Sequence, residues 1–254
     1  MTAALALSIA PEVAQAEALR ERVQVLESRP GVREVLLVTE APKRAPSERH
    51  VVLVLGGGGG GFAVVSRDGL PEVYGGLSPD QRQRLADTVG GVVIALSPPS
   101  DRPIMDREWR LSSAHVCDMR RAVDWARAQW PCSSAWVLGI NNGALSAAVA
   151  TASIDDLAGA VLLSCVDEAL DQPQKSERMR VLAVRQRNGA RASSNAPGEC
   201  ARRTLVSVHD ERRVASAPEA GDAMQAPRFN GKEQQVVDVV ARWILTGAAP
   251  DEIR

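Results

Sequence analysis

The hydrophobic positions of this chain change repeatedly between two spacings. Short, nearly continuous runs of Val, Ile and Leu alternate with longer stretches in which apolar residues recur every three or four positions. The short runs are typical of strands that are buried on both faces, and the longer stretches are typical of amphipathic helices. Because strands that alternate with helices indicate a mostly parallel, helix-covered sheet, the pattern predicts an α/β architecture.

The apolar pattern also predicts the individual elements. Strands are expected over 22–27, 32–39, 50–55, 92–96, 136–138, 158–164, 179–184 and 204–208. Helices are expected over 79–89, 112–130, 142–152 and 231–245, with a further helical connection around 167–171. The turn Arg29-Pro30-Gly31 predicts that the first two strands form an antiparallel hairpin at one edge of the sheet. We expect the helices over 79–89 and 231–245 on one face of the sheet, and the helices over 112–130 and 142–152 on the other face or in the adjacent layer.

Length and charge narrow the range of functions. With 254 residues and no Pro/Gly/Ser-rich linker, the chain is expected to form a single domain over 1–254, with 1–20 as a lead-in segment. The net charge of −1 gives no reason to expect nucleic acid as a partner. No apolar run approaches the roughly 18 residues of a membrane span, and no basic residue precedes the apolar N-terminus. We therefore expect a cytoplasmic protein without a membrane partner.

The sequence offers no clear cofactor or metal site. The four cysteines include no C-x-x-C, and no histidine sits near any pair of them, so no zinc site is predicted. The six glycines at 56–61 are not followed by Lys-Ser or Lys-Thr, and no ribose-binding acid stands clearly about 20 residues further on. The glycine run is therefore either a flexible loop without a ligand or a loop whose backbone N–H groups bind an anion.

The segment Gly139-Ile140-Asn141-Asn142-Gly143 is the most informative motif. It follows a short apolar run and precedes a helical run of small residues. A strand, a tight turn with two glycines and a helix form the context of the G-x-S-x-G nucleophile elbow, but here Asn141 holds the serine position. A carboxamide has no proton that a histidine could remove to start acyl transfer. We expect Asn141 on a sharp turn with a left-handed backbone, which asparagine tolerates better than most residues, close to the first glycines of the glycine run.

Taken in order, these elements resemble a bacterial branch of the α/β-hydrolase superfamily that is related to dienelactone-hydrolase-like enzymes. The likeness runs from about Arg22 to Ile244, and four segments carry it: 55–59, 97–102, 139–148 and 229–237. The third is the most specific, since a family pattern like G-T-S-R-G-T-x-S-A-A stands here as G-I-N-N-G-A-L-S-A-A. The resemblance implies the α/β-hydrolase fold, a mostly parallel, doubly wound sheet of about eight strands with helices on both faces.

The resemblance also assigns roles to positions of this chain. Asn141 takes the nucleophile position, Asn142 the backbone oxyanion donor position, and Gly57 and Gly58 lie in the glycine loop that supplies the other donors. The acid would follow the strand over 181–184, but no carboxylate appears there until position 199. The histidine would precede Phe229, where Ala, Pro and Arg stand instead. The catalytic triad is thus expected to be degenerate.

Four other polar residues are candidates for the site or for structural roles. Asp101 and Arg102 follow the end of a strand, where open α/β sheets bind ligands, and either line the pocket or form a salt bridge that fixes the Pro98-Pro99 turn. His209 lies some twenty residues before the expected histidine position. It either lies away from Asn141 or reaches it, because a long loop can fold back. His115, on the long helix, is most simply a partly buried packing residue.

Three functional hypotheses follow. The first is a pseudo-hydrolase that keeps the fold in order to bind a small molecule or a protein partner, without a cofactor. The second is a lyase, isomerase or cyclase in which Asn141, Asn142 and the glycine-loop backbone stabilise an enolate or oxyanion. The third is a hydrolase that acts through a water molecule activated by His209 and Asp210.

Overall fold

The computed structural model describes residues 20–41, 49–57, 65–67, 70–72, 76–102, 104–164, 167–172, 179–187, 203–209, 229 and 231–254. Its strands are β1 (Glu21–Arg29), β2 (Val32–Glu40), β3 (His50–Leu55), β4 (Val65–Arg67), β5 (Leu70–Glu72), β6 (Val92–Leu96), β7 (Ser134–Ile140), β8 (Gly159–Leu163), β9 (Arg180–Arg187), β10 (Arg203–His209) and β11 (Glu252–Ile253). Its helices are α1 (Pro79–Val89), α2 (Arg107–Arg110), α3 (Ser113–Gln129), α4 (Gly143–Ser153), α5 (Asp167–Asp171) and α6 (Glu233–Thr246).

Nine of these strands form one sheet in the order β1-β2-β6-β3-β7-β8-β9-β10-β11. Only the pairings of β1 with β2 and of β2 with β6 are antiparallel, so the predicted antiparallel hairpin stands at the edge of a mostly parallel sheet. The prediction of about eight strands is confirmed, and the ninth is the two-residue β11. The ribbon of β4 and β5, which follows the glycine run, was not predicted.

Helices cover both faces of the sheet, as predicted. Helices α3 and α4 pack on one face, where their apolar residues join a core that includes Leu36, Ile94 and Val137. Helices α1 and α6 pack on the other face around Trp136 and Trp243, whose rings meet edge to face with centroids 5.6 Å apart. Full burial of each large apolar side chain contributes about 1.5–3 kcal/mol, so both layers stabilise the sheet.

The helix boundaries follow from local signals. Helix α1 begins after Ser78, whose hydroxyl accepts from the Gln81 N–H while the Gln81 side chain accepts from the Ser78 N–H, forming a capping box. The helix ends at Gly90, which has a left-handed φ of 62°. Across the described residues, no helix has both the length and the apolar character needed to cross a membrane.

The strand order determines where a ligand site belongs. From β3 the chain passes to β6 on one side of β3 and then to β7 on the other. Where the connections after two neighbouring parallel strands run to opposite sides, a crevice opens between the carboxyl ends of the strands. Open α/β sheets bind ligands in that crevice. Here the crevice lies between the ends of β3 and β7, where the chain continues into Gly56 and into Asn141.

Candidate functional site

Asn141 lies on a tight turn between β7 and α4. Its φ is +50°, in the left-handed region. Its N–H donates to the Leu163 carbonyl of β8 (2.9 Å), and its carbonyl accepts from the N–H of Ala144 (3.0 Å). The same residue therefore completes the sheet ladder and starts the helix. The predictions of a sharp turn and a left-handed backbone are confirmed.

Close packing requires both glycines that flank this turn. A Cβ atom on Gly139 would lie 2.2 Å from the Gly143 carbonyl oxygen, and one on Gly143 would lie 2.1 Å from the Leu55 carbonyl oxygen. Both obstacles are backbone atoms within the sheet and the first turn of α4, which cannot move aside as a flexible side chain could. The backbone path of the turn is thus set by packing, whatever side chain residue 141 carries.

Gly57 packs directly against Asn141. A Cβ atom on Gly57 would lie 2.9 Å from the Ile140 carbonyl oxygen and 3.2 Å from Nδ2 of Asn141. The expected proximity of the elbow to the first glycines of the run is confirmed for Gly57. Gly58, the other predicted glycine, lies outside the described residues, and its ligand role remains a prediction.

Several hydrogen-bond donors at this point have no partner in the part of the chain that the structure describes. The N–H groups of Gly57 and Asn142 make no hydrogen bond there, and neither do the side-chain amides of Asn141 and Asn142. Asn142 is exposed and Asn141 half-buried, so both can reach a ligand. Asn142 also precedes the first turn of α4, where free N–H groups and the helix dipole favour negative charge. The arrangement can donate hydrogen bonds to a carbonyl or carboxylate oxygen.

A buried arginine lies beneath the turn. The guanidinium of Arg110 donates to the Gly56 carbonyl (3.2 Å), the Ser146 hydroxyl (2.9 Å) and the Met105 carbonyl (3.1 Å). Burial lowers the pKa of Arg110 to about 10, so the side chain remains charged at neutral pH. Arg110 was not predicted as a site residue, because nothing in the local sequence pattern places α2 next to the glycine run.

A small cavity adjoins Arg110. It leaves about 20 Å³ for the centres of water molecules, room for about one water, and it is lined by His115 as well as by Arg110, Gly56 and Ser146. His115 is 1% exposed, and neither of its ring nitrogens has a hydrogen-bond partner among the described residues. Burial lowers the pKa of His115 to about 3, so the ring is neutral. The predicted packing residue is therefore fully rather than partly buried, and it faces a cavity.

Asp101 and Arg102 lie on the other side of β6 from Asn141. Ser100 donates its N–H to the Arg33 carbonyl (2.8 Å), which carries this segment along β2. Asp101 accepts from both terminal nitrogens of Arg29 (3.0 and 2.9 Å), and Arg102 lies 3.3 Å from Asp106. These contacts match the salt-bridge interpretation, and the ligand role of the pair remains a prediction.

The fold of this chain is similar to the folds of several solved structures. No family model matches the chain, and no curated protein matches it. Among solved structures, Est1E from Butyrivibrio proteoclasticus is 13% identical with a TM-score of 0.57, over 88% of this chain and 97% of that one. A lidless α/β serine hydrolase from Xanthomonas campestris is 15% identical with a TM-score of 0.55, over 91% and 97% of the two chains. An α/β serine hydrolase homologue from Coxiella burnetii is 12% identical with a TM-score of 0.53, over 87% and 96%. The chain has the α/β-hydrolase fold.

In this α/β-hydrolase fold, His209 ends β10, three strands from β7. Strands lie about 4.8 Å apart, which places the two strands roughly 14 Å from each other. Nε2 of His209 lies 3.1 Å from Oε1 of Glu252 on β11, the strand on the far side of β10 from β7. The histidine thus faces away from Asn141. The segments in which the resemblance seeks an acid and a histidine, 188–202 and 210–228, lie outside the described residues, so the expected degeneracy of the triad remains a prediction.

The described residues contain no group of three or more His, Cys, Asp or Glu side chains placed to hold a metal ion. The donors that converge at the end of β3 and the turn after β7 are N–H groups and carboxamides.

Proposed function

We propose that this protein is a pseudo-hydrolase, an α/β-hydrolase fold that binds a ligand at the elbow without serine-hydrolase chemistry. The ligand is a small molecule that presents a carbonyl or carboxylate oxygen to the N–H groups of Gly57 and Asn142. A carboxylate of a protein partner fits the same donors and is the second form of this proposal. One observation carries it: a carboxamide, Asn141, stands on the left-handed turn against Gly57, beside backbone donors without partners.

The chemistry of the turn supports binding over hydrolysis. In α/β-hydrolases the residue at this turn is a serine, and the oxyanion is bound by the N–H of the next residue together with an N–H from the loop after β3. In this chain those two positions correspond to Asn142 and Gly57. Under this proposal Gly57 and Asn142 supply the donors of an oxyanion site, whereas the side chain at the turn has no hydroxyl or thiol with which to attack a carbonyl carbon.

A second candidate function is a non-hydrolytic enzyme that stabilises an enolate or oxyanion. Donors fixed by a rigid backbone can each be worth a few kcal/mol in a transition state without any nucleophile. The rigid packing of Gly139 and Gly143 favours this candidate, because it fixes the Asn142 N–H before a ligand binds. Hydrolysis through a water activated by His209 has less support, because that side chain faces Glu252.

Hydrolytic chemistry is tested with p-nitrophenyl acetate and a fluorophosphonate probe on the wild type, Asn141→Ala and Asn141→Ser. We expect the wild type to show no turnover above background and no labelling. Asn141→Ser should remain inactive, because a new hydroxyl without a general base lacks a contribution of about 100- to 10,000-fold. Wild-type turnover that Asn141→Ala abolishes would contradict the proposal, and an active Asn141→Ser would show that a base is present.

Ligand binding is tested by titrating the ¹⁵N-labelled protein with benzoate, a small carboxylate probe. We expect saturable shifts of the Gly57 and Asn142 amide signals with millimolar affinity, as a ligand of this size and few hydrogen bonds provides. The Gly31 amide, in the β1–β2 turn, is the internal control and should not move. Benzoate binding that leaves both elbow amides unchanged, or no binding by benzoate or by acetyl-amino-acid carboxylates, would refute the proposed site.

A further inference from the structure

We propose that Arg110 is a positioning residue for the elbow site. Its guanidinium fixes the peptide between Gly56 and Gly57 relative to α4, and this aims the N–H of Gly57 at the ligand oxygen. The inference rests on the proposed function, because it concerns how the same site is held ready for its ligand.

The orientation of one peptide unit is the first step. Arg110 donates from Nη2 to the carbonyl oxygen of Gly56 at 3.2 Å. In a trans peptide the carbonyl and the following N–H point in opposite directions, and the described residues contain no cis bond. Because the Gly56 carbonyl is directed toward Arg110, the N–H of Gly57 is directed away from Arg110, and Gly57 itself is buried against the turn after β7. Any rotation of this peptide would turn the donor away from the site.

The second step is the bridge to the other donor. From Nη1, Arg110 donates to the hydroxyl of Ser146 at 2.9 Å. Ser146 lies in α4, four residues or about one helical turn after Asn142, whose N–H is the second donor. A single planar guanidinium therefore contacts both structures that carry the donors, the glycine segment and the elbow helix. Its rigid fork sets the distance between them more strictly than a flexible ammonium would.

The third step is that the hydrogen bond from Arg110 adds to the packing around this peptide. The Gly56 carbonyl oxygen lies close to Gly143, and Gly57 packs against Ile140. Gly56 also borders the cavity that is lined by His115 and Arg110, and on that side the hydrogen bond from Arg110 holds the carbonyl. The bond comes from a buried cation, and charge-assisted hydrogen bonds are roughly twice as strong as neutral ones.

The test compares Arg110→Met, which removes the donors and the charge, with Arg110→Lys, which keeps a charge but replaces the planar fork with an ammonium whose donors all lie on one nitrogen. Arg120→Met is the matched control. Arg120 lies in α3 and donates to the Ser153 carbonyl (2.5 Å), which is at the C-terminal end of α4, opposite to the end that carries Asn142. The measurements are the Gly57 amide chemical shift and hydrogen exchange in the free protein, the benzoate dissociation constant, and the melting temperature.

We expect Arg110→Met to shift the Gly57 amide signal, to speed its exchange and to weaken benzoate binding by roughly tenfold, the effect of one well-placed hydrogen bond to a charged group. Arg110→Lys should move the Gly57 signal in the same direction and weaken binding less, because its charge remains. Arg120→Met should leave the Gly57 signal and the affinity unchanged even where it lowers the melting temperature. If Arg110→Met does not fold, Arg110→Lys and Ser146→Ala carry the comparison, each removing part of the bridge.

Two failures remain distinguishable. If the wild type does not bind benzoate, the proposed function fails, while the free-state Gly57 signal still shows whether Arg110 orients the peptide. If the wild type binds but Arg110→Met and Arg110→Lys change the Gly57 signal no more than Arg120→Met does, the positioning role is refuted and the proposed function stands.

Discussion

The carboxyl ends of β7 and β10 differ in what fixes them. At the end of β7, backbone contacts set the position of Asn141, and Gly139 and Gly143 admit no Cβ atom. At the end of β10, His209 is about one-third exposed, and its side chain is directed toward Glu252 on β11. By the resemblance to α/β-hydrolases, the nucleophile position is expected after the first strand and the general base after the second. Main-chain packing fixes the first strand end, whereas the direction of His209 rests on a side-chain contact.

This difference shows why an elbow does not prove catalysis. The close contacts at Gly143 serve the joint between sheet and helix, and they are needed whether residue 141 is a serine or an asparagine. A base at the end of β10 has no such structural duty. The following predictions test how far the two regions differ.

The largest effect is expected from Gly143→Ala. Its new Cβ would lie 2.1 Å from the Leu55 carbonyl oxygen, so either the sheet or the helix must move. Such overpacking against the backbone should lower the free energy of unfolding by more than about 3 kcal/mol, measured by urea denaturation. Gly31→Ala is the control: its φ of 74° is unfavourable for alanine, but no atom lies within 4 Å, so about 1 kcal/mol is expected. Equal losses would mean that the elbow is not held by packing.

A pH series tests a contribution to the free energy of unfolding that comes from neither strand end, the ionisation of Glu34. The pKa of Glu34 on β2 is raised from 4.5 to about 8, mainly by burial. The negative charges of Asp118 and Asp101 also raise this pKa, and the positive charge of Arg29 lowers it. The folded state thus holds this proton more tightly, and the free energy of unfolding should fall between about pH 4.5 and 8, by up to about 1.4 kcal/mol per pH unit.

Glu34→Gln, which cannot titrate, should abolish that fall in urea denaturation measured from pH 5 to 9. The variant should be more stable than the wild type at pH 9, when the wild-type carboxylate is charged and buried. Parallel pH curves for the two proteins would show that folding does not raise the pKa of Glu34. The variants at the two strand ends could then be compared without holding the pH constant.

A smaller effect is expected from removing the asparagine at the turn. Asn141→Ala should lower the free energy of unfolding by about 1 kcal/mol, because alanine tolerates the φ of +50° less well. Asn142→Ala, at an ordinary φ of −61° and without a capping bond, should change it by less than about 0.5 kcal/mol. Thermal or urea unfolding of the pair measures the strain at the turn directly. A larger loss of stability in Asn142→Ala than in Asn141→Ala would contradict the expected strain at Asn141.

The smallest effect is expected at the end of β10. The contact of His209 with Glu252 is about two-thirds buried on each side, and pairs of this kind contribute roughly 0–1 kcal/mol. His209→Ala should therefore change stability by less than about 1 kcal/mol and leave benzoate binding unchanged. If this variant instead removed a measurable esterase activity of the wild type, the water-activated hydrolase would become the leading hypothesis.

Much of the fold could be predicted from the sequence, because its signals are local. Buried strands such as His50–Leu55 and Val92–Leu96 are continuous apolar runs, and α1 is bounded by a capping box and a glycine. The turn after β7 was also predictable, because a strand, a tight turn with two glycines and a helix form the context of the nucleophile elbow. The left-handed φ of Asn141 followed from the same pattern.

The surroundings of the site could not be predicted in the same way. Helix α2 has only four residues, too few for a periodic signal. Arg110 lies 54 residues from Gly56 and 36 from Ser146, so its position depends on tertiary packing alone. The direction of His209 depends on β11, a two-residue strand with no recognisable pattern.

The tight packing of Gly139 and Gly143 makes position 141 a grafting point. The main chain there is built without help from the side chain it carries, so different side chains can be displayed at the mouth of the crevice on one unchanged backbone. A cysteine, a fluorinated amino acid or a spin label at this position would differ from asparagine chiefly in how well it accepts a left-handed φ. Nucleophiles and reporters can therefore be compared here on a single scaffold, with chemistry as the variable and architecture as the constant.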